Sequence, residues 1–249
     1  MTSHRLIGLA AFAVALTTGA AASADGPAPL KLLPPLAKGV DSLPRLIGKP
    51  GDHAVARINL ALARKDAEIP CRTSRKDRTS YARGVVVTMR GPRYLSVLTS
   101  ENWFCGGPYP TDGEHTALVY DLATGARADW KRLLPPKLVQ KLIDYNDVGE
   151  GLVVSAALTA RYIPSSTDDA QCRSAIAHWS GGLGFMLWPD ARADGIAIQP
   201  KNLPHVVAAC GPEVVIGARE LRKLGVAPSL LDAIDEAHRR GWYDKRASK

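Results

Sequence analysis

The feature that most constrains the fold is a pair of strand-like segments around one turn. Gly84 to Arg90 reads GVVVTMR, Gly91-Pro92 marks a turn, and Tyr94 to Thr99 reads YLSVLT. Period-two alternation places Leu95 and Val97 on one face, and Tyr94, Ser96 and Leu98 on the other, which predicts a β-hairpin. A third strand, Thr116 to Asp121 (TALVYD), follows a Gly/Pro-rich loop. It ends in the turn Leu122-Ala123-Thr124-Gly125, which leads into a short strand around Arg127 to Trp130. Together these predict an antiparallel meander with one face free to take a helix.

The helix to cover it is legible upstream. Ala54 to Glu68 carries Val55, Ile58 and Leu62 at helical spacing, and Pro70 stops it. A basic, polar loop follows from Arg72 to Ser80. Downstream, Pro135 and Pro136 open a helix with Leu138, Val139, Leu142 and Ile143 as its apolar stripe, since Pro loses nothing at the first helical positions. Leu152 to Tyr162 reads as helical, and short strands are expected at Leu183 to Trp188, Gly195 to Gln199 and Glu213 to Ile216. The chain closes with an amphipathic helix that starts at Pro228, turns Leu230, Leu231, Ile234 and Ala237 inward, and stops at Gly241. Runs of strands with helices between them give an α+β class, an antiparallel sheet packed by helices.

The 249 residues are 46% hydrophobic with 32 Lys+Arg against 24 Asp+Glu, a formal net charge of +8. That composition excludes disorder, and no internal repeat is present. Residues 1–24 read as a cleaved signal peptide. His4 and Arg5 are the basic start, Leu6 to Leu16 the apolar run, and Ala22-Ser23-Ala24 the cleavage site. Its removal takes one Arg and no acid, leaving 31 basic and 24 acidic residues and a charge of +7. Residues 25–42 form a Pro/Lys-rich leader. Residues 43–249 form one α+β domain, divisible into closely packed subdomains at 43–130 and 131–249. The expected location is the periplasm or the extracellular medium, with no transmembrane anchor, because no later segment approaches the ~20 apolar residues of a span.

Export places Cys71, Cys105, Cys172 and Cys210 in an oxidising compartment, where two structural disulfides are expected. The spacings contain no C-x-x-C, which argues against zinc or a redox centre. Four cysteines allow three connectivities and the sequence does not choose among them. The nearest-neighbour pairing, Cys71 with Cys105 and Cys172 with Cys210, is taken as the expectation.

No catalytic constellation emerges. There is no H-E-x-x-H or H-x-x-x-H for zinc, and Glu114-His115 are adjacent on an extended segment, so their side chains point to opposite faces. His178-Trp179-Ser180-Gly181-Gly182 lacks the G-x-S-x-G frame. Asp235-Glu236-Ala237-His238 spells a helicase box without any phosphate-binding loop, and Asp168-Asp169 lacks EF-hand spacing and reads as a solvated loop tethered by Cys172. Catalytic residues, metal ligands and cofactors are therefore expected to be none, and ligand-binding residues are not specified. Basic clusters lie at Arg72, Arg75, Lys76 and Arg78, and at Arg239, Arg240, Lys245, Arg246 and Lys249. Nucleic acid is not expected as a partner of an exported protein, and no aromatic residues interleave the first cluster.

A set of short motifs recurs in order: Leu43-Pro44-Arg45-Leu46-Ile47-Gly48, Ile58-Asn59, Tyr94-Leu95-Ser96-Val97, Cys105-Gly106-Gly107-Pro108-Tyr109-Pro110, and Tyr120-Asp121-Leu122-Ala123-Thr124-Gly125. Gly182-Leu183-Gly184-Phe185 and the segment Leu203 to Ile216 continue it. Together they resemble the extracytoplasmic domain of the lysozyme-sensing anti-sigma factor RsiV and the N-terminal region of the peptidoglycan deacetylase PdaC, over roughly Leu43 to Leu224. Pro108 and Tyr109 replace the small residue and the His of that family's loop, so no role of that His carries over. The resemblance implies an envelope module that binds a glycan or a protein and has no catalysis of its own. Lysozyme is basic, so a chain at +7 suits peptidoglycan or another anionic glycan better on charge. The rival is an envelope hydrolase assembled from distant residues, with His178, His205 and Asp121 as participants. A purely structural secreted protein is the third reading.

Overall fold

The computed structural model describes residues 26–69, 80–106, 112–144 and 151–245. The signal segment, Cys71 and the basic loop residues Arg72, Arg75, Lys76 and Arg78 lie outside them. The expected Cys71–Cys105 pairing therefore lies outside the described residues as well.

Two short strands, β1 (Leu30–Lys31) and β2 (Arg45–Leu46), pair antiparallel near the N-terminus. Helix α1 (His53–Ala67) follows, started by Asp52, whose carboxylate accepts from the backbone N–H groups of Ala54 and Val55. Strands β3 (Ser80–Arg90), β4 (Tyr94–Phe104) and β5 (Asp112–Asp121) then form the meander, in that order. Its two faces separate by parity, except that a β-bulge between Val87 and Met89 moves the end of β3 to the other face. Val87, Leu95, Val97, Leu118 and Tyr120 pack under Ile58 and Leu62 of α1 and under Leu43 and Leu46. Met89, Tyr94, Leu98, Ala117 and Val119 enter a second, larger core. The sheet thus has a helix on one face and more sheet on the other, and Tyr94 to Thr99 is buried without a break.

The second sheet has five antiparallel strands, in the spatial order β10-β9-β8-β7-β6. The chain reaches it through α2 (Trp130–Leu133) and a single 3₁₀ turn, Pro136–Leu138. Strands β6 (Lys141–Asp144) and β7 (Gly151–Val154) form an antiparallel pair, followed by helices α3 (Ala156–Ser166) and α4 (Ala170–His178). Then come β8 (Gly184–Asp190), β9 (Gly195–Pro200), α5 (His205–Ala208), β10 (Val214–Gly217), α6 (Ala218–Leu224) and α7 (Pro228–Arg240). Every residue of β8 is buried, because it is the central strand of its sheet, with β9 and β7 on either side and the meander packed against it. The Ala117 N–H reaches Met186 Sδ across that interface at 3.1 Å, and the Ala191 N–H reaches the Thr88 carbonyl at 3.0 Å. The core formed here draws on residues from Met89 to Trp242 and so crosses residue 130. The class is α+β with antiparallel sheets. Among the described residues no helix is long and apolar enough to cross a membrane.

Both outer edges of the meander are covered, which removes the exposed pairing groups that promote aggregation. At β3, Gly39 and Asp41 of the leader bond to Arg83, while Trp242 and Asp244 beyond α7 bond to Arg90 and Val87. The Pro/Lys-rich leader is therefore pinned along an edge. At β5, the Ala128 N–H bonds the Val119 carbonyl and Arg127 Nη2 the Ala117 carbonyl, 2.9 and 2.8 Å away.

Several local expectations are corrected. The segment around Arg127 to Trp130 is not a strand. It makes one bridge, Arg127 to Tyr120, and then Asp129 caps α2. The helix expected from Pro135 is a 3₁₀ turn plus strand β6, because Leu142 and Ile143 find partners in Val153 and Leu152 across the pair. Leu152 to Tyr162 divides at Ser155, whose hydroxyl accepts from the Leu158 N–H and starts α3. Asp168-Asp169 sit exposed in the short connection between α3 and α4, as expected, and Asp169 has a further role there. Asp169 accepts from the backbone N–H groups of Gln171 and Cys172 and caps α4. From α4, Cys172 forms a disulfide with Cys210, 38 residues away.

Candidate functional site

Where the edge of β5 meets the end of β9 and the α5 turn, a cleft of about 600 Å³ opens. Its lining includes Glu101, Trp103, Glu114, His115, Gln199 and Lys201. Alternation on β5 puts Glu114 on the α1 side and His115 on the opposite side. The cleft takes both because it passes around the strand's edge.

Lys201 organises that edge. Its side chain is 7% exposed, and Nζ lies 3.0 Å from Glu114 Oε1 and donates to the His115 carbonyl. The Lys201 N–H is itself fixed to the Gly184 carbonyl at 3.0 Å. Gln199 holds the His115 ring. Its Nε2 donates to the Gly211 carbonyl at 3.1 Å, so its Oε1 faces His115 Nδ1 as an acceptor at 3.2 Å. His115 therefore donates from Nδ1, and the neutral ring keeps its lone pair on Nε2. Burial pushes the His115 pKa below its ordinary value, and Lys201 adds to that against the opposing Gln199 bond.

Glu101 sits directly across from Glu114 in the β4–β5 register and across from Arg83 in the β3–β4 register. It is buried. Its Oε2 lies 3.8 Å from Lys65 Nζ, and its Oε1 lies 4.0 Å from Arg83 Nη1 and makes no hydrogen bond. Burial raises its pKa, Lys65 and Arg83 oppose the rise, and Glu114 reinforces it. Behind it, the fully buried Arg83 guanidinium donates to Asp66 Oδ1 at 2.5 Å, and Asp66 Oδ2 accepts from Arg45 at 2.7 Å. A charged ladder thus runs from the leader through α1 and β3 to the cleft. Glu101, Asp112 and Glu114 line the cleft with Lys201 as the cation, so the excess positive charge of the chain is not expressed there.

The partner of His115 is an amide rather than a carboxylate or a hydroxyl, and each glutamate is held by cations. This arrangement presents fixed hydrogen-bonding groups and no paired nucleophile and base. Among the described residues no three or more His, Cys, Asp or Glu are grouped to share a metal ion. Of the hydrolase participants considered from sequence, Asp121 is engaged in a separate set of contacts. Asp121, at the far end of β5 from His115, accepts from Arg93 Nε and Nη2 and from the turn N–H groups of Ala123 and Thr124. It lines a separate cavity of about 400 Å³ together with Arg93, Arg127 and Arg132. His178 ends α4 with its ring edge-on to Trp179, and no hydrogen bond or ion pair joins it to Asp121. His205 opens α5.

In the letters Asp235-Glu236-Ala237-His238, the acids form helical ion pairs with Arg239 and Arg240, at 3.1 and 3.2 Å, and His238 bonds the Ala191 carbonyl. The cleft residues Glu101, Gln199 and Lys201 were not singled out from sequence. The available signal was four consecutive polar residues, Thr99, Ser100, Glu101 and Asn102, interrupting the strand before Trp103 and Phe104.

No family model and no curated protein matches the chain. Among solved structures it is similar to a member of the DUF3298 family from Bacteroides fragilis, at 14% identity over 76% of this chain and 74% of that one, with a TM-score of 0.41. A likeness of that degree assigns neither a fold family nor a function.

Proposed function

We propose that this chain is an exported, non-catalytic binding module of the cell envelope and that its ligand seat is the cleft beside β5. The observation that carries the reading is the cleft itself: about 600 Å³, with Trp103 on its wall and polar groups held in place by Lys201 and Gln199. Pre-formed concavities with a few fixed polar groups are the usual form of a ligand site. The Cys172–Cys210 disulfide supports an oxidising compartment, as does the signal-like N-terminus. Charge no longer favours an anionic glycan for this seat, because carboxylates outnumber cations along its lining. A glycan of peptidoglycan type fits the polar lining, and a basic protein such as lysozyme fits the acidic one. The test is pull-down on purified peptidoglycan and titration against lysozyme, with Trp103→Ala beside the native chain. Binding of either ligand that is weakened by the substitution supports the reading. Binding of neither, at low and at physiological salt, overturns it.

A further inference from the structure

One wall of the cleft is made by Leu203, Ala208, Ala209, Gly211 and Pro212, in and around the α5 turn. From Leu203 to Pro212 the backbone bonds are local: the Val207 N–H to the Pro204 carbonyl, the Cys210 N–H to the Val207 carbonyl, and the Gly211 N–H to the Ala208 carbonyl. Among the described residues, two hydrogen bonds join this stretch to the remainder of the chain. Tyr162 Oη donates to the Pro212 carbonyl at 2.7 Å, and Gln199 Nε2 donates to the Gly211 carbonyl at 3.1 Å. The third link is covalent, from Cys210 to Cys172 in α4. These links converge on the site. Cys210 adjoins Gly211, whose carbonyl orients the Gln199 amide, and Gln199 Oε1 keeps the His115 proton on Nδ1. A short segment without ladder bonds takes its position from its tethers, and of these three only the cross-link stays closed under thermal motion.

We propose that the Cys172–Cys210 bond is the latch of the cleft wall, so that the ligand seat exists in the oxidised chain and is lost when the bond opens. The inference rests on the cleft reading above and adds its redox dependence. Closing the bond takes two electrons and two protons from the Cys172 and Cys210 thiols and delivers them to a disulfide oxidant, which becomes a dithiol; a dithiol reductant reverses the exchange. Both cysteines are only partly buried, so such a reagent reaches them. In the open chain Gly211 loses its fixed place, the Gln199 amide rotates, and His115 carries its proton on either nitrogen. Groups that the bond orders in advance must then be ordered at binding, which weakens affinity.

The experiment reads the His115 ring and ligand binding together in the full chain. The native protein and the variant Cys172→Ala/Cys210→Ala are compared by long-range ¹H–¹⁵N spectra of the imidazole, at a pH where the ring is neutral, and by titration with soluble peptidoglycan fragments and with lysozyme. The native ring should show one tautomer, protonated on Nδ1, and the variant a mixture with Nε2. The variant should bind about tenfold more weakly or worse. Tyr162→Phe, which removes another tether and keeps the bond, should leave the tautomer as it is. Thermal unfolding checks each variant. If the alanine variant does not fold, the native chain opened with dithiothreitol, with mass mapping of alkylated Cys172 and Cys210, takes its place. A single Nδ1 tautomer in the open chain, or an equal effect of Tyr162→Phe, overturns the latch. If the native chain binds either probe and the open chain binds it as tightly, the latch fails and the cleft reading stands. If the native chain binds neither, the cleft reading fails, and the ring decides the latch by itself: a mixture in the open chain supports it and a single tautomer overturns it.

Discussion

Replacing Arg83 with Met tests the charged ladder that ties α1 and the leader to the meander. The guanidinium is fully buried, donates to Asp66 Oδ1 at 2.5 Å, and bonds the carbonyls of Asp41 and Lys65 at 2.8 and 3.4 Å. Removing one member of a buried pair costs about 3–5 kcal/mol. Asp66 is not abandoned, because its Oδ1 still accepts from the Leu43 N–H at 3.1 Å and its Oδ2 from Arg45 at 2.7 Å. That places the charge contribution at the low end. The two orphaned carbonyls add roughly 1 kcal/mol each, and the apolar Met side chain returns about as much, for a net loss of about 3–4 kcal/mol. A chain of this size should lose roughly 6–16 °C in Tm. Urea titration followed by tryptophan fluorescence reads the change directly, and the loss should be nearly the same in 0.1 and 0.5 M salt because the pair is shielded from solvent. A loss below about 1 kcal/mol would refute the assignment of Arg83 as the hub of this network.

Other expected outcomes follow from single features. The double variant Cys172→Ala/Cys210→Ala opens a loop of 38 residues and should cost about 4 kcal/mol by the chain-entropy estimate, read by urea unfolding against the native chain. At Gly125 φ is +68°, and an added Cβ would lie 2.5 Å from the Ala54 carbonyl oxygen. Gly125→Ala should therefore cost about 2–4 kcal/mol by separating the β5 turn from the start of α1, with Gly48→Ala, which meets only the Val55 side chain, as the milder comparison in the same melt. Burial lowers the His115 pKa from 6.5, so the unfolded chain takes up the proton first as pH falls. Its contribution to stability should be intact above 6.5 and decline below it, and His115→Gln should remove that decline from a Tm–pH profile. Glu101 works in the opposite direction. Its raised pKa means that ionisation disfavours the fold as pH rises through 4.5 and above, a slope that Glu101→Gln should flatten.

The parts of the fold legible in the sequence are those where periodicity and burial coincide. The hairpin faces of Leu95 and Val97 against Tyr94 and Leu98, the Ile58–Leu62 stripe of α1, and the inward face of α7 all follow from spacing alone. The misreadings cluster between Arg127 and His178. There the segments are four to eleven residues long, and partners distant in sequence decide the conformation. Leu138, Leu142 and Ile143 fit a helical stripe by letters, yet the pairing with Leu152 and Val153 makes a strand. Asp168-Asp169 read correctly as an exposed connection, but the cap that Asp169 provides for α4 was not read from the letters. The site was least legible. His115 and Gln199 are 84 residues apart and Glu114 and Lys201 are 87 apart, and no local pattern joins them. The polar ends of β4 and β5 interrupt the alternation, but only the packing of β9 across the edge turns that interruption into a cleft.

The central claim is that the ligand sits in this cleft and not on the basic surface. The most direct measurement is the ¹H–¹⁵N spectrum of the labelled chain during addition of soluble peptidoglycan fragments. Shift changes concentrated at Trp103 and its indole N–H, Gly113, His115, Gln199 and Lys201 are predicted. Changes confined to the Arg93–Arg132 cavity or to the α7 arginines, with the cleft signals unmoved, would contradict the account.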